Sequence, residues 1–393
     1  MADDRYTLTI DGRDHPGLAA AVFDAVADAA QSVTDVGQIT IRGHLALCIE
    51  VVLNQGIGQL ELTEAVAAVA AAHDVSIDVA PSEQRIAIEG RRLLVTLVAP
   101  SFEASTLAAA FRSIASCGGD VERIIRLADY PVFAYELLVR GPDPDELRTA
   151  LGRVAVDQAV DIAVQRAGLH RRAKRLIVMD ADSTLFKGEV IDKLASHLGL
   201  EAEVAAITEA AMAGELEFGD ALADRVALLE GLEVGALAAV AADLELMPGA
   251  RTLLRTLHRL GYRTAVVSGG FVQVIAPVLE ELGIDYLAAN SLEVVDGRLT
   301  GRLTGEVVDR AGKAAALVRF ADDVGIPVSQ TVAVGDGAND IDMLRAAGLG
   351  IAFNARPVVR EAADTALSVP YLDAVLFMLG ITRQEIEAAD ADG

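Results

Sequence analysis

Asp180 and Asp182 stand two residues apart in "MDADSTLF" (179–186), directly after the apolar run Leu176, Ile177, Val178, Met179. Two carboxylates at the end of a buried strand repel each other, so an opposite charge must meet them. The first residue past a strand is rigidly held. That suits Asp180 to attack phosphorus and form an aspartyl-phosphate. Asp182 can reach the same centre as general acid, protonating a leaving oxygen and later activating water. "SGGF" offers the hydroxyl of Ser268 and the N–H groups of Gly269 and Gly270 to the transferring oxygens. Lys313, opening "GKAAALVRF", is one of few lysines in the chain and the natural cation for phosphoryl group and nucleophile. "VGDGANDIDML" adds Asp336, Asn339 and Asp340. Several acids at one locus call for a hard divalent cation. Mg²⁺ takes oxygen ligands, keeps waters and shares a substrate phosphate, whereas no His/Cys cluster here has zinc spacing. The chemistry indicated is phosphoryl transfer.

Each motif alone is weak. A calcium loop starting at Asp180 would need Gly at its sixth position and Glu at its twelfth, and the chain has Leu185 and Ile191. The D-x-D of a nucleotide-sugar transferase would leave Lys313 and "GDGANDIDML" unexplained. The ordered set is what carries information. Strands are expected at 175–179, 263–268, 331–335 and 349–353, and they are followed by Asp180/Asp182, Ser268, Asp336 with Asn339 and Asp340, and Asn354. Strands alternating with helices imply a parallel sheet, and ligands bind beyond the carboxyl ends of its strands. Residues 187 to about 247 read as helical with no strand, which suggests a cap inserted over the sheet.

The first half repeats a βαββαβ order, at 1–82 and again at 90–168, the ferredoxin-like pattern. In the first copy Leu18, Val22, Val26 and Ala29 share a helix face, and Arg42-Gly43-His44 turns a strand pair. In the second, Asp143 is the expected N-cap of a helix. "APSEQRIAIEGRR" reads as a linker, and "GLHRRAKR" as a basic, polar boundary before a third domain, 172–393.

At 393 residues the chain has room for two or three domains. A formal charge of −25 argues against nucleic acid and anionic membrane as partners, since both need a basic stripe. No apolar stretch reaches the roughly 18 residues of a membrane span. The start "MADDRYTLTI" lacks the regions of a signal peptide, so a cytoplasmic location is expected. Cys48 and Cys117 sit in apolar patterns and are expected as small core residues in a reducing compartment.

"DADST", "SGGF", Lys313 and "GDGANDIDML" resemble the four motifs of the haloacid dehalogenase superfamily of phosphotransferases. "DADSTLFKGEVIDKLA" and "AMAGELEFGDALADRVALLEGL" further resemble the cap of its phosphoserine phosphatase family. The resemblance spans about residues 172 to 385. It implies an α/β, Rossmann-like core with an inserted helical cap, and hydrolysis of O-phospho-L-serine to L-serine and phosphate, the last step of serine biosynthesis. Asp180 would be the nucleophile and Asp182 the acid/base. Mg²⁺ would be held by Asp180, Asp336 and the backbone carbonyl of Asp182, with Asp340 supporting the loop. Ser268, Gly269, Lys313 and Asn339 would surround the phosphate. Arg225 would take the substrate carboxylate, Glu189 its ammonium, and Met212 and Phe218 would close an apolar lid. A related phosphatase for another phospho-amino acid remains open, and so does an amino-acid sensor with an inactive phosphatase domain. No motif residue is missing, which argues against the sensor.

The two βαββαβ units resemble ACT domains, the amino-acid-sensing modules. "IDGRDHPGLAAAV" is similar to their ligand loop and implies an effector site at Asp14 and Gly17, with L-serine as one candidate effector. The second copy, "APSFEASTL", lacks that loop. ACT units pair with one another, which implies a homodimer or larger assembly.

Overall fold

The first repeat builds a four-stranded antiparallel sheet from β1 (Arg5–Arg13), β2 (Ala30–Ile41), β3 (His44–Leu53) and β4 (Val75–Pro81), in the order β2-β3-β1-β4. The structure is a computed structural model describing residues 5–82, 90–168, 171, 173–212 and 218–391. The helices Leu18–Ala27 and Gln59–His73 cover one face of this sheet through Leu18, Val22, Val26, Leu62 and Val66. Strand alternation therefore puts Leu8 and Ile10 inside and leaves Thr9 and Asp11 outside. The same alternation corrects the expectation for Cys48. Its neighbours Leu47 and Ile49 are buried, so Cys48 faces outward and is exposed, and Cys117 is only half-buried. Arg42 and Gly43 both have positive φ (49° and 80°), as a two-residue hairpin turn requires.

The second repeat is built the same way, from β5 (Arg92–Ala99), β6 (Asp120–Ala128), β7 (Phe133–Arg140) and β8 (Asp161–Arg166), in the order β6-β7-β5-β8. Asp143 caps the helix Pro144–Gln158 by accepting from the N–H groups of Asp145 and Glu146. Its inner strand β5 has no solvent face, whereas the edge strand β6 exposes Arg123, Ile124 and Arg126. All of β5 after Arg92 is buried, with Leu93, Val95 and Leu97 packing on the helices. Val98, Ala134 and Ala163 join one apolar core with Ile177, Met179 and Phe377 of the third region. Polar contacts reinforce the junction: Asp161 Oδ2 accepts from Ser368 N–H (2.6 Å) and Gln165 Nε2 donates to Met378 O (2.9 Å). The expected polar boundary at 168–175 is in part interior. Arg171 is buried against Glu136 and donates to the carbonyls of Phe377 and Met378. Lys174 is buried too, donating to Ser329 O (2.7 Å) and Thr331 O (3.2 Å). Residues 88–393 consequently form one compact unit and 1–87 another.

The third region centres on a seven-stranded sheet. Its strands are β9 (Leu176–Met179), β10 (Arg263–Phe271), β11 (Tyr286–Val295), β12 (Arg298–Thr304), β13 (Thr331–Gly335), β14 (Gly350–Phe353) and β15 (Thr365–Leu367). The order is β12-β11-β10-β9-β13-β14-β15, parallel except for β12. β11, β12 and β15 are not among the strands read from the sequence. β10 also runs on through Ser268, Gly269 and Gly270 to Phe271, with an irregular register after Val267. Between β9 and β10 lie the helices Val190–Ser196, Glu201–Met212, Phe218–Ala227 and Val234–Ala242, which match the expected helical cap. No helix among the described residues is long and apolar enough to cross a membrane.

Candidate active site

Strand register converges the acids. Met179 is flanked in register by Val266 of β10 and Val334 of β13, so the chain beyond all three strands emerges at one sheet edge. After β9 the chain makes a wide turn, closed by Phe186 N–H donating to Ala181 O (2.9 Å), with Ser183 in the left-handed region (φ 56°). This turn separates the two aspartates. Asp180 Oδ1 accepts from Lys313 Nζ (2.7 Å) and from Ala181 N–H (2.8 Å). Asp182 turns toward the cap: Oδ1 accepts from Val190 N–H (2.7 Å) and Oδ2 from Ser268 Oγ (3.3 Å).

Lys313 has no exposed surface and bridges Asp180 and Asp340, at 2.7 Å each. Burial alone would strip its proton, but the two carboxylates outweigh that and hold the ammonium charged. Asp340 Oδ2 also accepts from Gly337 N–H (3.0 Å), so this residue ties the loop to the lysine. Thr184, completely buried, donates to Asp336 Oδ1 (3.0 Å). The Asp180 carboxyl is pushed well up, by burial first and then by Asp340, with Lys313 opposing. Burial, then the charge of Asp340, raises Asp336 to about 6. Burial also raises Asp182, against the pull of Val190 N–H and Lys313.

Protons are thus favoured on acids that a cation would otherwise neutralise. Asp180, Asp336 and Asp340 bring one carboxylate oxygen each within 4.8 Å of one another, and the donor set is all oxygen, as a hard divalent ion requires.

Asp180, Asp182, Glu189, Arg225, Gly269, Lys313, Asp336 and Asn339 line one cavity. Arg225 donates only to Ala221 O (3.2 Å), one turn back, and has no acid partner within ion-pair distance among the described residues. Glu189 lies at the open rim. The low-dielectric cleft, then the charges of Asp182, Asp336 and Asp192, push its carboxyl up to about 8, while Arg225 pulls it down. Solvent at the rim screens part of that shift.

Other sequence expectations fall elsewhere. Ser268 is fully buried, its hydroxyl taken by Asp182 and by Gly270 N–H (2.8 Å), so the latter group is already spent. Asn354 is exposed and outside the cavity lining. The side chains of Met212 and Phe218 lie outside the described residues. The cavity also has an apolar wall that the sequence reading missed: Ile191, Leu222 and Phe271. A signal existed for Leu222, which stands three residues before Arg225 and so on the same helix face.

In the first repeat, Gly17 precedes the helix Leu18–Ala27 with φ 93°. Asp14 Oδ2 accepts from Thr40 Oγ1 (3.2 Å), and His15 stacks on His73 with ring centroids 4.7 Å apart.

Residues 177–345 match the family model of haloacid dehalogenase-like hydrolases, and residues 7–80 and 93–165 each match an ACT domain model. A phosphoserine phosphatase of Streptomyces coelicolor is 53% identical over 98% of this chain and 94% of its own length. Among solved structures, a HAD family hydrolase of Salmonella enterica serovar Typhi is 27% identical, with TM-score 0.65 over 75% of this chain and 99% of its own. A phospho-aspartyl intermediate analogue of phosphoserine phosphatase is 43% identical, with TM-score 0.50 over 52% of this chain and 98% of its own.

Proposed function

The chain belongs to the phosphoserine phosphatases, haloacid dehalogenase-like hydrolases carrying ACT domains, and from that premise we propose that it hydrolyses O-phospho-L-serine to L-serine and phosphate. The observation that carries the reading is the cavity itself. A buried lysine–aspartate cradle shares it with an arginine and a glutamate that make no ion pair with each other. A phosphate, a carboxylate and an ammonium on one small molecule use all of them.

The Asp180 carboxylate attacks phosphorus, and the bond from phosphorus to the serine oxygen breaks. Asp182, whose carboxyl is raised by burial, gives its proton to that oxygen. L-Serine leaves and Asp180 carries the phosphoryl group. Asp182 then takes a proton from water, whose oxygen attacks phosphorus, and the bond to Asp180 breaks to release phosphate. The phospho-aspartyl analogue in the 43%-identical relative supports this route. Lys313 stays charged throughout and faces the oxygens that gain charge. Gly269 and Asn339 flank the phosphate, Arg225 pairs with the carboxylate, and Glu189 meets the ammonium.

The ion is Mg²⁺. Asp180, Asp336 and the carbonyl of Asp182 would hold it, with Asp340 fixing the loop, and when bound it supplies positive charge to the phosphate oxygens.

The ACT domains suit regulation by an amino acid such as L-serine, near Asp14 and Gly17. The working division is 1–82, 90–168 and 172–393 with a cap at about 187–247, in a homodimer or larger assembly, acting in the cytoplasm at the end of serine biosynthesis. Phosphate release from phosphoserine, phosphothreonine, phosphohomoserine and a sugar phosphate, with and without Mg²⁺, tests the reading. It is wrong if phosphoserine is not the best substrate or if Asp180→Asn keeps its activity.

A further inference from the structure

Asn290 lies on β11, is 1% exposed, and belongs to none of the motifs by which the site was read. Each end of its amide serves a different part of the site. Nδ2 donates to Gly269 O (2.9 Å) and Oδ1 accepts from Val308 N–H (2.8 Å). Gly269 O belongs to the peptide whose other end, Gly270 N–H, donates to Ser268 Oγ (2.8 Å). That peptide plane is therefore pinned on both sides, and both of its glycines line the cavity.

Val308 immediately precedes Asp309, which caps the helix Arg310–Val324 by accepting from Gly312 N–H (2.7 Å). Lys313 stands on the first turn of that helix, its N–H donating to Asp309 O (2.9 Å). One side chain thus spans the glycine peptide and the entry to the lysine helix. A buried amide is costly unless both ends are bonded, and here both are. An apolar residue would fill the same space but leave Gly269 O and Val308 N–H without this partner.

We propose that Asn290 is a positioning residue for the phosphate half of the site, setting the Gly269–Gly270 peptide against Lys313. It makes no hydrogen bond to Glu189 or Arg225, the groups assigned to the amino-acid head. The inference rests on the phosphatase reading. It requires that loss of Asn290 weaken recognition of phosphate and leave recognition of serine alone.

The test uses the full chain with Mg²⁺ and two competitive inhibitors, orthophosphate and L-serine, on wild type, Asn290→Ala and Asn290→Leu. The leucine variant keeps the core filled. Expected is a rise of about tenfold or more in the phosphate inhibition constant for both variants, with the serine constant within about twofold of wild type. An unchanged phosphate constant, or a parallel rise in both constants, overturns the assignment. So does an Asn290→Leu chain that cannot fold, because the amide would then serve the fold and not the site. A wild type inactive on phosphoserine would instead defeat the function reading. Calorimetric binding of orthophosphate to the same proteins would still decide the role of Asn290.

Discussion

Lys313 Nζ lies 2.7 Å from Asp180 Oδ1, with both side chains sealed from solvent. A second carboxylate, Asp340, holds the same ammonium and helps offset the cost of burying it. Remove the lysine and two buried acids face each other with nothing between them.

Lys313→Met should therefore destabilise the chain by about 3–5 kcal/mol, read by urea denaturation. Its activity should fall by roughly 10²–10³-fold, as for loss of a charge-stabilising donor. Asp180→Asn relieves the repulsion and keeps the shape, so it should fold well and release no phosphate. A Lys313→Met protein of wild-type stability would show that the bridge has no net worth.

Metal affinity should follow the titration of Asp336, raised to about 6. Its folded value lies above that of a free carboxylate. In the metal-free protein its stabilising contribution is therefore complete below the free value of 3.8 and is lost as pH rises through about 6. A cation binds only the ionised form. Adding Mg²⁺ should accordingly raise the melting temperature much more at about pH 7.5 than at about pH 5. An equal gain at both would exclude Asp336 from the metal site.

Leu222 and Ile191 should set the choice between phosphoserine and phosphothreonine. Both are buried and line the cavity beside Arg225 and Glu189, so a substrate β-methyl would press on them. One methyl in an apolar pocket is worth about 10–200-fold in kcat/KM. Leu222→Ala should shift the ratio toward phosphothreonine by about tenfold or more, assayed cold because the lost packing costs about 2–5 kcal/mol. An unmoved ratio would assign discrimination to other residues.

Truncation should succeed at one place and fail at another. A chain of residues 88–393 keeps its compact unit whole and should retain Mg²⁺-dependent hydrolysis. A chain starting near residue 169 loses Val98, Ala134 and Ala163 from the shared core and leaves Arg171 without Glu136. It should aggregate. A monodisperse, active 169–393 fragment on size exclusion would contradict this.

The strands that bear the site were legible because each is a short apolar run ending in chemistry, as at Met179–Asp180 and Gly335–Asp336. β11 was not. "YLAANSLEVV" alternates poorly, and its most buried residue is a polar one, Asn290. The β11–β12 hairpin did leave a sign, since Asp296 and Gly297 both take positive φ (50° and 77°), the usual Asp-Gly turn. β15 has three residues, too few for any periodicity. The burial of Arg171 was invisible because its partners Glu136, Phe377 and Met378 are distant in sequence. Cys48 could have been placed by strict alternation with Leu47 and Ile49.

The two repeats share one pattern, yet they differ in how much drift they can absorb. In β1 every second side chain from Thr9 onward is turned to solvent and can be exchanged at little expense to folding. In β5 seven successive side chains are committed to one core or another. Random mutagenesis of the whole chain should leave a scar pattern accordingly: alternating tolerance along residues 5–13, and near-uniform intolerance along 93–99. The copy without the Asp-x-Pro-Gly loop is thus the one with less freedom to change along its inner strand, which has a share in the catalytic sheet's foundations.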